Sequence, residues 1–145
     1  MLGIDPGRKF IGIAISDPDW RVASPLTVIA RDKFAAVAEN IGKIIRERNI
    51  GAIITGLPKN LDGTEGPAAQ SARSFIANLL RQGRLPDPDI PVVFWDERMS
   101  TAAVTRFMLE DDMSRHRRAR VVDKAAAAYI LQGALDAFFV SAGPG

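Results

Sequence analysis

The chain has 145 residues, of which 47% are hydrophobic and 25% charged, with a formal net charge of +2. These are globular proportions for one domain with a real core, and they exclude a disordered or low-complexity chain. The absence of cysteine excludes disulfide frameworks, thiolate metal sites and cysteine nucleophiles together.

Leu2 to Asp5 and Phe10 to Ser16 read as two strands joined by the short Pro6-Gly7-Arg8-Lys9 turn, hence an antiparallel hairpin. The second run is dense enough in Ile and Ala to be buried on both faces. Val22 to Ile29 reads as a third strand. Asp32 is placed to cap a helix over 34–48, where Phe34, Val37, Ile41, Ile44 and Ile45 recur at helical spacing. GAIITGLP is a short buried strand ending in a turn, and the stretch from Lys59 to Pro67 is rich in turn formers. A helix follows over about 68–82, then the breaker Leu85-Pro86-Asp87-Pro88-Asp89, then the strand PVVFW. Ser100 or Thr101 can cap a helix ending near Leu109, and a last helix runs from about Val121 to Val140. A hairpin meander followed by strand–helix alternation predicts a mixed sheet with helices on both sides. Without repeats or a long linker, residues 1–140 form one domain and 141–145 a frayed tail. No apolar stretch approaches the ~20 residues of a membrane span, and the start lacks a basic region followed by an apolar one. The expectation is a soluble, cytoplasmic protein without membrane partners.

Several acids fall where charge is costly. Asp5 ends the first strand, and Asp96 and Glu97 end the last one. Asp123 lies seven residues before Ile130, on the stripe that includes Ala126, Ala127, Ala134 and Phe138, so it shares the core-facing side of its helix. Each has an ordinary explanation. Asp before Pro-Gly is a common turn residue, Asp123 could favour the helix macrodipole, and Glu97 could pair with Arg98. Together they describe carboxylates converging from distant parts of the chain, which requires a metal ion or a shared proton to offset repulsion. Oxygen-only ligands suit Mg²⁺ or Mn²⁺ rather than zinc.

The stretches GIDPGRKFIGIAISD, GLPKNLDGTEGPAAQSARSF, DERMST and RHRRARVVDKAAAAYIL resemble, in this order, the motifs of the YqgF/RuvX family. Its members are bacterial RNase H-like proteins, described as candidate Holliday-junction resolvases and as nucleases that mature the small-subunit ribosomal RNA precursor. The likeness runs from Leu2 to about Phe139. It implies an α/β protein with an RNase H-like fold: a mixed five-stranded sheet, a three-strand antiparallel meander plus parallel strands, flanked by helices. It also implies an acidic triad of Asp5, Glu97 and Asp123 as catalytic residues and metal ligands, with Asp5 bridging by analogy with the fold. Strand alternation allows only one of Asp96 and Glu97 to reach the metals; the family match favours Glu97 and leaves Asp96 the uncertain neighbour. Phe10 stands where many members carry a basic residue, which touches only a peripheral contact.

Such a triad fits phosphodiester hydrolysis with two divalent ions, roughly 3.5–4 Å apart, flanking the scissile phosphate. A polyanion must then be drawn to an acidic pocket, which requires basic surroundings. The sequence pI of about 9.3 leans basic, yet the informative feature is clustering: Arg115, Arg117, Arg118 and Arg120 fall within six positions just before Asp123. The ordinary reading is a solvated interhelix loop; arginine's two-pronged grip on phosphate favours a binding role. Lys124, Arg8 and Arg98 flank the acids, and Lys59 and Asn60 sit in the turn-rich loop, completing the candidate nucleic-acid contacts. His116 reads as a phosphate or surface contact. The expected activity is processing of the 5′ end of pre-16S ribosomal RNA, with resolution of four-way DNA as the alternative. A symmetric dimer is neither implied nor excluded. An actin-like or sugar-kinase-like nucleotide binder also uses D-x-G on a first strand but pairs two such domains, and a non-catalytic nucleic-acid binder is opposed by the intact acids.

Overall fold

The computed structural model describes residues 1–7, 9–60, 62–96 and 115–142, with backbone only for 115–124 and 139–142. Strands β1 (Leu2–Pro6), β2 (Phe10–Ser16) and β3 (Ala23–Ala30) are followed by α1 (Phe34–Glu47), β4 (Ile53–Leu57), α2 (Pro67–Arg81), β5 (Val92–Asp96) and α3 (Arg115–Ala142). The five strands form one sheet in the order β3-β2-β1-β4-β5. β1 with β2 and β2 with β3 are antiparallel, whereas β1 with β4 and β4 with β5 are parallel. The antiparallel pairs follow from the short turns, and the parallel ones from crossovers through α1 and α2.

Alternation along the strands divides the core in two. Leu2, Ile4, Ile11, Ile13 and Ile53 point to one face and pack with Val37, Ile41 and Ile45 of α1 and Phe75, Ile76 and Leu79 of α2. On the other face, Ala14 and Ile54 pack with Ala127, Ile130, Leu131, Ala134 and Leu135 of α3, joined by Trp20 and Trp95. Both tryptophans therefore pack; Trp20 meets the Phe138 ring edge-on at 5.9 Å. Gly3 explains how closely α3 approaches: a Cβ there would lie 2.9 Å from Leu131 Cβ and 3.0 Å from the Ala127 carbonyl oxygen. Among the described residues no helix is long and apolar enough to cross a membrane.

The mixed five-stranded sheet with helices on both faces is the predicted one, and the boundaries carry the differences. α1 begins at Phe34 with Lys33 as its extended N-cap and no side-chain cap, so Asp32 lies one residue too early to cap it. α2 starts at Pro67, where a missing N–H costs nothing. The largest difference is α3, which starts at Arg115 rather than near Val121 and reaches Ala142. Four arginines at a helix N-terminus oppose the macrodipole, yet the helix includes them. Good propensities of Arg and Ala and the docking of the later turns on the sheet carry the helix through them. The helix expected over 101–109 lies outside the described residues.

Candidate active site

Asp5 is the penultimate residue of β1, the central strand, and is 5% exposed. Leu2 and Ile4 occupy the α1/α2 face, so Gly3 and Asp5 occupy the α3 face. Its neighbours on that face are bare. Gly12 pairs with Asp5 across the antiparallel ladder. The parallel register, which pairs Ile4 with Thr55, brings Gly56 alongside on β4. Neither flanking strand puts a side chain over this carboxylate. Glycine inside a strand signals close approach of something else; that signal was present in FIGIAIS and IITGL, and of the two positions Gly12 was missed from sequence.

α3 crosses this face antiparallel to β1. The backbone N–H of Ala23, at the start of β3, donates to Gln132 Oε1 at 2.8 Å. Trp20 reaches further along to Phe138. Ala23 pairs with Ser16, whose hydroxyl accepts from the Met1 amino group at 2.7 Å, so the late turns of α3 lie beside the start of β1. Gly3 faces Ala127 and Leu131. Asp5 lies two residues further, about 6.6 Å along the strand, which corresponds to about four helical residues towards the N-terminus of α3. That is the level of Asp123, one turn before Ala127, which is fully buried on the same stripe. The arginines occupy the two turns before Asp123, not a loop, within about 12 Å along the axis.

On β5, Val92 and Phe94 pack on the α1/α2 side and Trp95 on the α3 side. Asp96 therefore shares the face of Val92 and Phe94, opposite to Asp5. Glu97, Arg98 and Arg8 lie outside the described residues, and the side chains of Asp123, Lys124 and the arginines are not described. Among the described residues no group of three or more His, Cys, Asp or Glu could hold a metal ion. Asp5 alone tests the fit: a buried carboxylate, flanked by glycines, is an oxygen donor of the kind a hard divalent cation takes.

The loop after β4 closes on itself. The Asn60 amide nitrogen donates to Thr64 Oγ1 at 3.0 Å, and the Thr64 hydroxyl donates to Asp62 Oδ1 at 2.6 Å. Asn60 thus spends its side-chain amide on the loop. Lys59 is half-buried at its base. The sequence reading also missed Glu65 and Arg73. The Glu65 carboxylate accepts from Arg73 Nε at 2.6 Å and from Nη2 at 2.9 Å. This two-pronged bond holds the Glu65 carboxyl below the usual range and raises the Arg73 guanidinium above its own.

Comparison with known proteins agrees with this architecture. The RuvX family model, described as "Holliday junction resolvase", matches residues 1–137. A protein of Rhodospirillum centenum named "Putative pre-16S rRNA nuclease" is 52% identical over 94% of this chain and 72% of its own length. One of the same name from Paracoccus denitrificans is 54% identical over 92% of this chain and 82% of its own. T. thermophilus RuvC, solved in complex with a Holliday junction substrate, superposes with a TM-score of 0.55 at 13% identity. It covers 97% of this chain and 95% of RuvC, a likeness of fold, which is RNase H-like.

Proposed function

The chain belongs to the RuvX family, and from that premise we propose that it is a metal-dependent nuclease hydrolysing phosphodiester bonds in structured nucleic acid. The names of the relatives favour pre-16S ribosomal RNA as substrate, which we take as processing of its 5′ end; the family description favours four-way DNA as the alternative. The observation that carries the reading is Asp5: a buried carboxylate on the central strand, flanked by glycines, at the level of Asp123 and within two helical turns of the arginine-rich start of α3.

In this reading Asp5, Asp123 and Glu97 would hold Mg²⁺ or Mn²⁺, ions that supply an activated water and neutralise charge building on the scissile phosphate. Asp96 has the wrong parity for this set, which is why Glu97 is the acid of that pair we assign. Arg115, Arg117, Arg118 and Arg120 bind flanking phosphates and hold the polymer across β1. Their position on the first turns of a helix puts them at its electropositive end. Lys59 approaches from the β4–α2 loop, beside the strand that carries Gly56.

The test is cleavage of a pre-16S ribosomal RNA fragment and of a four-way DNA junction, with and without Mn²⁺. Asp5→Asn is expected to lower the rate by at least about 100-fold, the scale of losing one preorganised electrostatic group, while leaving the melting temperature near that of the wild type. Cleavage that survives the substitution overturns the assignment. The preferred substrate of the pair decides between RNA processing and junction resolution.

A further inference from the structure

The β4–α2 loop is more organised than its turn-rich sequence requires. Thr64 N–H donates to Asp62 Oδ1 at 2.9 Å. Asn60 N–H donates to the Thr64 carbonyl and Gly63 N–H to the Asn60 carbonyl, both at 2.9 Å. Gly63 takes φ of 90° to close the turn. Gly66 packs on the Asn60 side chain so tightly that a Cβ would lie 3.1 Å from its Oδ1. A unit that bonds mainly within itself is stiff, and its placement depends on how it is tied to the rest of the molecule.

One such tie is the Glu65–Arg73 pair. Arg73 stands on the second turn of α2, grips Glu65 with two bonds, and lies 4.7 Å over the ring of Phe94. Phe94 is on β5, two residues before Asp96. A single guanidinium therefore links three pieces: the loop that carries Lys59, the helix that follows it, and the strand leading to the second acidic position. The side chains are 43% and 27% exposed, and exposed ion pairs contribute little to global stability. Glu65 is also a carboxylate on the loop proposed to approach a polyanion, an electrostatic cost unless its geometry is useful.

We propose that Glu65 and Arg73 are positioning residues that fix the Lys59-bearing loop for nucleic-acid binding. The inference rests on the nuclease reading, and it makes a prediction opposite in sign to simple electrostatics. Glu65→Gln removes a negative charge, so charge alone predicts tighter binding of RNA or DNA. Positioning predicts weaker binding.

The experiment measures Kd for a labelled four-way DNA junction and for a pre-16S ribosomal RNA fragment without divalent metal, with KM and kcat in Mn²⁺. The proteins are wild type, Glu65→Gln, Arg73→Lys, Lys59→Gln and the Glu65→Gln/Lys59→Gln double variant. Arg73→Lys keeps the charge and loses the two-pronged grip. Glu65→Gln and Arg73→Lys are each expected to weaken binding about threefold to tenfold, the range of one impaired charge-assisted contact. KM should rise by the same factor at nearly constant kcat and unchanged melting temperature. The double variant should be no worse than Lys59→Gln alone, because once that lysine's contact is gone, displacing the loop has none left to lose. Tighter or unchanged binding by Glu65→Gln, or additive losses in the double variant, overturns the inference while the nuclease reading stands. A wild type that neither binds nor cuts either substrate removes both.

Discussion

At the scale of single residues, polar groups in unusual surroundings separate function from cost. Asp5 and Thr55 are the described buried polar residues, at 5% and 0% exposure. Thr55 Oγ1 has no hydrogen-bond partner and sits on the α1/α2 face, away from the candidate site. Replacing an unpartnered buried hydroxyl by a methyl group removes a desolvation cost. Thr55→Val is accordingly expected to stabilise the fold by about 1 kcal/mol in urea unfolding, with unchanged cleavage; a loss of stability would reveal a bond that the hydroxyl makes. Asp17 behaves differently. Its Oδ1 accepts the backbone N–H groups of Arg21 at 2.6 Å and Val22 at 3.1 Å, tying the turn in which Trp20 adopts φ of 59°. The Val22 N–H, then the Arg21 N–H, lower its carboxyl below the ordinary value of 3.8. A depressed acid stabilises the folded state above the unfolded value, and the gain is lost as pH falls through the folded one. The stability difference between wild type and Asp17→Ala should therefore be largest near neutral pH and shrink below about pH 4. A difference independent of pH would show that the turn does not depend on the ionised form.

At the scale of elements, α3 is the piece on which the site depends. It meets β1 where Gly3 leaves no room, so Gly3→Ala must push the helix outward or distort Leu131. We expect a loss of about 1–3 kcal/mol, as for other overpacked contacts, and, if Asp123 is the metal ligand proposed above, a fall in cleavage beyond the unfolded fraction, because that residue moves with the helix. Gly51→Ala, with nothing within 4 Å of its new Cβ, serves as the control and should leave both measurements unchanged. Equal activity in the folded fraction of Gly3→Ala would show that α3 does not set the site. Edge strand β3 serves a different purpose: Pro25 and the register shift at Ile13/Ala14 blunt the exposed edge.

At the scale of the whole molecule, a nearly balanced charge of +2 still places four of the fourteen arginines at one end of one helix. Binding that rests on this end should weaken steeply with salt. About four neutralised phosphates give a slope of roughly −3 to −4 in log K against log salt on duplex DNA, and Arg117→Gln should reduce it by about one. A flat response would remove the arginines from the interface.

The sequence by itself determined the α/β class, the mixed sheet, both amphipathic helices of the α1/α2 face, and the acids and arginines worth testing, because apolar spacing and charge clustering are local properties. It placed the start of α3 six residues too late, since the docking of the later turns, which carries the helix through Arg115 to Arg120, is not written in those residues. Tertiary structure alone decided which faces of the sheet Asp5 and Asp96 occupy. Alternation along β5 was known in advance, but only the packing of Phe94 against one layer and Trp95 against the other gave that alternation a direction and turned Asp96 away from Asp5. It alone revealed that Gly12 and Gly56 flank Asp5, because a ladder register joins positions that no local pattern connects. It alone joined Glu65 to Arg73 and Phe94, since a loop, a helix and a strand from separate parts of the chain meet only once the sheet has formed.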